Sequence, residues 1–165
     1  MSILNVNYQS INMDFKKKVH IVNRKAKFEY HFKEVLEAGI MLKGSELKSI
    51  RANNVNMADG FCFFRKGELY CSNIYIAPYE LATYNNHEPR RERKLLIKRR
   101  ELKKWSKRVE EKGFTVVPYK MYISERGFVK LQIALAQGKQ VHDKRASIRE
   151  RDNKRELDRI KKMGI

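Results

Sequence analysis

Residues 61–77, FCFFRKGELYCSNIYIA, constrain the fold most, because two aromatic-rich stretches flank Lys66-Gly67. Glycine supplies the positive φ that a tight turn needs, so the run predicts a β-hairpin. Pairing across the turn sets Arg65 opposite Glu68, Phe63 opposite Tyr70 and Cys62 opposite Cys71. A disulfide between the two cysteines is sterically imaginable, but in a reducing compartment they read as two small buried hydrophobes. With no CxxC and no Cys/His cluster, the sequence gives no support to a structural zinc site. Residues 115–136 predict a second hairpin, turning at Glu125-Arg126-Gly127. Its expected register pairs Ile123 with Val129, Met121 with Leu131, Tyr119 with Ile133 and Val117 with Leu135. One face is then apolar and the other carries Lys120, Lys130 and Gln132, the alternation of a sheet with one buried and one wet side.

Upstream, FEYHFKEVLEAGIML reads as a long strand that changes phase between Glu34 and Gly39, where a glycine suits a bulge or sharp bend. GSELKSIRANN reads as a short helix, with Leu47 and Ile50 three apart and Asn53-Asn54 closing it. Between the hairpins, Leu95, Leu96, Leu102, Trp105 and Val109 fall on one helical stripe surrounded by Lys and Arg, and Gly113 ends it. Such a helix packs Trp105 into the core as a structural residue. Five or six strands, strong bends and few helices predict a mainly β chain, a small closed antiparallel barrel of the oligonucleotide-binding (OB) type, with two or three helices.

Charge then separates the chain into parts. The 165 residues carry 37 Lys and Arg against 19 Asp and Glu, a net of +18. Residues 89–112 hold twelve basic and four acidic side chains, a net of +8, and residues 139–165 hold ten and five, a net of +5. The other 114 positions carry only +5. The last segment has few apolar residues, so it is helix-competent but core-poor: disordered or frayed alone and able to fold on a partner. No stretch approaches the roughly 18 apolar residues of a membrane span, and the basic cluster at 16–18 follows the apolar start, the reverse of a secretory signal. A cytoplasmic protein that meets a polyanion, RNA or single-stranded DNA first, is the expectation, with no membrane partner.

Chemistry for catalysis is sparse. His20, His31, His87 and His142 share no metal-ligand spacing, and neither a Gly-rich phosphate loop nor a GxSxG turn occurs. Glu46 and Asp59 are the two carboxylates on which a metal-dependent RNase would have to be built. The expectation is a non-enzyme with no cofactor and no metal; the rivals are a general OB-fold or ribosomal RNA-binding protein and that nuclease.

Three strings carry more. NRKAKFEYHFKEVLEAGIMLKGSELKSIRANNVNMADGF (residues 23–61), RKLLIKRREL (93–102) and AQGKQVHDKR (136–145) resemble the SsrA-binding protein family, also called small protein B, in order and spacing. The resemblance runs from about Val22 to Ile165 and implies residues 1–21 as a variable extension, 22–138 as an OB-like RNA-binding barrel and 139–165 as a basic tail. It implies a bacterial trans-translation factor that binds the tRNA-like domain of transfer-messenger RNA (tmRNA) and delivers it to the stalled 70S ribosome. Further implied are a 16S rRNA contact, an indirect link to elongation factor Tu through alanyl-tmRNA, and a monomer. By motif matching, Asn23, Tyr30, Glu37, Glu46, Lys48, Arg51, Arg93, Lys94 and Leu96 form or support the tmRNA surface, and Glu37 is expected to order a basic neighbour or an RNA donor. Gly138, Lys139, His142, Asp143, Lys144, Arg145 and Ile160 are implied in the tail that probes the decoding centre and the empty message channel. Gly138 is expected to turn the chain sharply out of the last strand, His142 to stack on a base, and a helix to run from Ala146.

Overall fold

The computed structural model describes residues 19–82, 86–110 and 113–162, apart from the side chains of Val141, His142, Ser147 and Lys162. Most of the expected extension, residues 1–18, lies outside the described residues. In chain order the elements are β1 (His20–Val22), α1 (Arg24–Glu29), β2 (Tyr30–Ile40), α2 (Gly44–Arg51), β3 (Val55–Asn56), β4 (Phe61–Arg65), β5 (Glu68–Ser72), β6 (Tyr75–Ile76), β7 (Arg93–Leu96), α3 (Arg99–Glu110), β8 (Phe114–Ile123), β9 (Val129–Gly138) and α4 (Val141–Lys162).

Seven strands form one antiparallel sheet in the order β1-β8-β4-β5-β7-β2-β9, and β9 pairs again with β8. That last pairing bends six strands into a partly closed ring. β1 and β4 share one edge of β8, β1 opposite residues 120–122 and β4 through the single pair Cys62–Val116. β3 and β6 make a separate two-stranded ribbon. Inside the ring pack Leu69, Cys71, Ile74, Ile76, Leu95, Trp105, Met121, Leu131, Ile133 and Leu135, all at 2% exposure or less. Each such side chain stabilises the fold by about 1.5–3 kcal/mol relative to exposure.

The first hairpin has the expected register throughout, Cys62 opposite Cys71 included, and both thiols are free and buried. The second follows its expected register only from Ile123–Val129 to Lys120–Gln132. A bulge at Tyr119 then shifts it by one, so that Pro118 faces Ile133 and Val116 faces Leu135. Proline has no N–H to give the ladder, and Asn23 occupies the local carbonyls: its N–H donates to Tyr119 O at 2.8 Å and its Nδ2 to Pro118 O at 3.1 Å. Beyond the bulge both faces are covered, because α1 lays Ala26 over Val117, Ala134 and Ala136, flanked by Tyr30 and Phe32. The run LQIALA therefore loses its alternation.

Four further differences are local. Residues 24–29 form α1, which takes in Phe28 and Glu29 from the start of the expected strand, because Asn23 Oδ1 accepts from Ala26 N–H at 3.0 Å and caps a short run of helix formers. The phase change in β2 falls at Lys33, between Phe32 and Glu34, rather than after Glu34. Leu95 and Leu96 are in β7, not on the α3 stripe, since the ring needs a strand between β5 and β2; Arg93 and Leu95 point in, Lys94 and Leu96 out. Leu102, Trp105 and Val109 do share the packed side of α3. His20 and Ile21, expected in the extension, pair with Tyr122 and Met121.

Candidate nucleic-acid interface

A buried ionic hub fixes the elements that carry the surface. Glu46 of α2 is fully buried and accepts from Lys43 N–H at 2.6 Å, Arg91 Nε at 2.9 Å and Nη2 at 2.6 Å, and Arg93 Nε at 2.8 Å. Burial alone would raise its carboxyl, but the Arg91 hydrogen bonds, the Lys43 N–H and the charges of both arginines outweigh it and hold the group below its usual 4.5. Arg93, also fully buried, donates to Ile74 O, Arg91 O and Pro89 O. His87 closes the same region, bonded to Ser45 Oγ at 3.0 Å and to Ile76 O at 3.1 Å. A carbonyl can only accept, so Nε2 carries the proton in that bond.

Every lone-pair direction of Glu46 thus meets an N–H donor, and Asp59 is an exposed loop residue paired with Lys25 at 3.0 Å. The nuclease reading is overturned, because this carboxylate has no free oxygen face to offer a metal. Among the described residues no group of three His, Cys, Asp or Glu side chains stands in metal-binding proximity. Asn23 is likewise buried and structural: besides capping α1, it donates to Met57 O at 2.7 Å. Of the residues expected to form or support an RNA surface, Asn23, Glu46 and Arg93 are therefore buried side chains that hold the fold from within.

The outward side of the sheet is different. Residues directly opposite in neighbouring strands share a face, which aligns Glu37, Gln132 and Lys120 in one row and Gly39, Lys130, Tyr122 and His20 in the next. Tyr122 Oη donates to Glu37, and Lys130 Nζ lies 3.1 Å from the same carboxylate. The tyrosine hydrogen bond first, then Lys130, keeps Glu37 below its usual value, and the same bond raises the Tyr122 hydroxyl. Across Gly39 sits Leu96, 52% exposed. A Cβ at Gly39 would come within 3.2 Å of the Leu96 Cβ, so glycine lets that side chain lie over the strand. Lys94 joins the face and pairs with Glu68. Met41 and Phe128, both more than half exposed, lie at the same end of β2 and β9.

Glu37, Lys94 and Leu96 are thus brought together, while the others are not. Lys48 and Arg51 are on the exposed side of α2, Lys48 standing 4.6 Å from the Tyr79 ring, and Tyr30 is half-buried under α1. Motif matching missed Tyr122, Lys120, Lys130 and Gln132, yet the alternation of the second hairpin already put three of them on its wet face. The charge of residues 89–112 is also less available than its sum. Glu34 receives Lys104 and Arg108 of α3 at 2.8 Å each, which ties that helix to β2 and lowers the carboxyl, the Lys104 bond acting most. Arg99, Arg100, Lys103 and Lys107 remain exposed on α3.

The tail starts directly after β9. Gly138 still pairs with Tyr30 as the last residue of β9, and α4 begins at Val141, five residues before the expected Ala146. Lys139 N–H donates to Glu29 O at 2.8 Å, which guides the chain along α1. Asp143, in the first turn of α4, accepts from Gln140 N–H at 3.3 Å and lies 3.4 Å from His31 Nε2. Lys144 is half-buried, Arg145 exposed, and the His142 side chain lies outside the described residues. Arg151 stands 5.4 Å from the Phe28 ring; from there to Lys161 the helix is exposed, Leu157 and Ile160 included.

Comparison with known proteins accounts for this arrangement. The family model "SmpB protein" matches residues 20–163. The SsrA-binding protein of Christiangramia forsetii is 48% identical over 147 residues, 89% of this chain and 94% of the relative. That of Trichormus variabilis is 49% identical over 146 residues, 88% and 94% of the two chains. A solved chain described as "tmRNA-SmpB: a journey to the center of the bacterial ribosome" superposes with a TM-score of 0.64 at 48% identity, covering 74% of this chain and 86% of that one. The family model runs from the first strand to the tail helix, and the chain belongs to the SmpB family.

Proposed function

We propose that this chain binds tmRNA and acts with it in trans-translation, holding the tRNA-like domain on the outward face of β7, β2, β9 and β8. The observation that carries this reading is the meeting of Glu37, Lys130, Tyr122, Lys94 and Leu96 on one face. Phosphates are met by lysines, while Leu96 offers an apolar contact for a sugar or base. Glu37 remains ionised at neutral pH and fixes the Lys130 ammonium and the Tyr122 ring in place. A carboxylate among phosphates is tolerated only when it accepts hydrogen bonds, and these two partners supply them. Residues 22–138 are the RNA-holding body and 139–165 the part that enters the ribosome, with Lys139, His142, Asp143, Lys144, Arg145 and Ile160 directed to the decoding centre and message channel. The body acts as a monomer in the cytoplasm and meets elongation factor Tu only through the alanylated RNA.

Glu37→Gln tests the face. It keeps the shape but weakens the hold on Lys130, so affinity for the tRNA-like domain should fall about tenfold, roughly 1.4 kcal/mol, by calorimetric titration. Unchanged affinity removes Glu37 from the interface. Sequencing the RNA that co-purifies from cells tests the partner: tmRNA should dominate, and a broad mixture favours a general RNA-binding role.

A further inference from the structure

A second outward surface, on β4 and β5, has a chemistry of its own. Cys62 and Phe64 face the core, so Phe61, Phe63 and Arg65 face out, opposite Ser72, Tyr70 and Glu68. The Phe61 and Phe63 ring centroids are 5.9 Å apart, and Phe63 stacks on Tyr70 at 6.0 Å with planes 22° apart. The Arg65 guanidinium covers the far end, 4.4 Å from the Tyr70 ring and 5.5 Å from that of Phe63, and is held there by Glu92 at 2.7 Å. Phe61, 44% exposed, begins the ridge and also walls a depression of about 290 Å³, lined further by Tyr30, Thr115, Val117, Lys25 and Asp59. Lys25 of α1, exposed and paired with Asp59 at 3.0 Å, supplies the cation at this end, with Glu29 also in the lining.

We infer that the ridge and depression form a stacking site for unpaired nucleotides of a single-stranded RNA segment, meeting the face that holds Glu37 only where Tyr70 lies opposite Lys94. Rings that carry no base identity stack on any nucleobase, and cations at both ends meet the phosphates that connect successive bases. The volume is near the lower limit of the ~300–1,000 Å³ of small-molecule pockets, which suits one nucleotide and leaves no room for a folded partner segment. Asp59, on the rim, can accept from an exocyclic amino group, so adenine and cytosine fit better than uracil. The inference rests on the chain being an RNA binder but not on the RNA being tmRNA.

The test uses the full chain, a labelled short single-stranded RNA of mixed A and C, and the same RNA with abasic residues. In fluorescence anisotropy, Phe61→Leu with Phe63→Leu should weaken binding of the natural probe by about tenfold or more. Phe61→Trp should bind it at least as well as wild type. The abasic probe should bind wild type weakly and respond to none of these changes. Thermal melts check that the leucine variant is folded; if it is not, the Trp variant and the abasic comparison still decide. Equal binding of the abasic and natural probes, or a folded leucine variant within about twofold of wild type, overturns the inference. The isolated tRNA-like domain is titrated in parallel. If that RNA fails to bind wild type while the oligonucleotide does, the tmRNA reading falls and the stacking site stands.

Discussion

Glu46 shows how a charged residue in a basic protein can belong to the interior. Removing its charge leaves Arg93 buried without compensation, a loss of about 3–5 kcal/mol in comparable pairs. Glu46→Gln should therefore lower the unfolding free energy by that order in a urea titration at neutral pH, and a change below about 1 kcal/mol would mean that Arg93 finds other acceptors. The pH dependence has a defined sign. A carboxyl held below its ordinary value in the folded state binds fewer protons than the unfolded chain. Its contribution is complete above about 4.5 and is lost as the pH falls from there through the lower folded-state value. Acid unfolding of Glu46→Gln should accordingly lose part of its steepness below pH 4.5. Motif matching singled out this residue but not its side of the surface, because a motif gives position along the chain and burial depends on partners 45 residues and more away.

At the scale of elements, the hairpin at Lys66-Gly67 was legible in full, since turn chemistry and alternation agree there. The second hairpin was legible for its outer half only. Its inner half depends on Asn23 reaching Met57, Pro118 and Tyr119, contacts of high sequence separation that no local pattern announces. β7 was misread because RKLLIKRREL satisfies both periods, and the neighbour strands decided. Gly60 belongs to the same junction. A Cβ there would come within 2.8 Å of Pro118 Cγ and 3.0 Å of Ile74 Cγ1. Gly60→Ala should destabilise the chain by about 1–3 kcal/mol through overpacking, read by chemical denaturation; a neutral result would show that the bulge at Tyr119 relaxes readily.

Over the whole molecule, the net charge of +18 is not spread over the surface in proportion. Glu34, Glu37, Glu46 and Glu68 together engage Lys104, Arg108, Lys130, Arg91, Arg93 and Lys94. Arg99, Arg100, Lys103 and Lys107 on α3 and the distal half of α4 stay outward, and both helices join the last hairpin at its open end, where Phe114 faces Gln137. The proposed division between the sheet face and the tail implies separable losses. Deleting residues 146–165 should leave affinity for the tRNA-like domain within about twofold, and leave unchanged its salt slope of roughly −0.7 to −0.9 per contacted phosphate, while tagging on stalled ribosomes is abolished. Loss of more than about tenfold in tRNA-like domain binding (~1.4 kcal/mol) would join the two parts into one site.

The ring meets itself at β4 and β8 through one residue pair, Cys62 and Val116, and that junction behaves as a clasp. Every other neighbour in the ring is held by at least two pairs. Opening the clasp breaks the least structure and uncovers the Cys62 thiol, which burial, with Cys71 alongside, pushes well above its ordinary value in the closed form. Alkylation of Cys62 by a small maleimide should then be faster than global unfolding allows, and faster than that of Cys71, which lies one strand further in. Equal rates at both thiols would indicate that the ring opens only as a unit. The pair read as inert filler thus becomes a built-in reporter of how often the cylinder comes undone along its own seam.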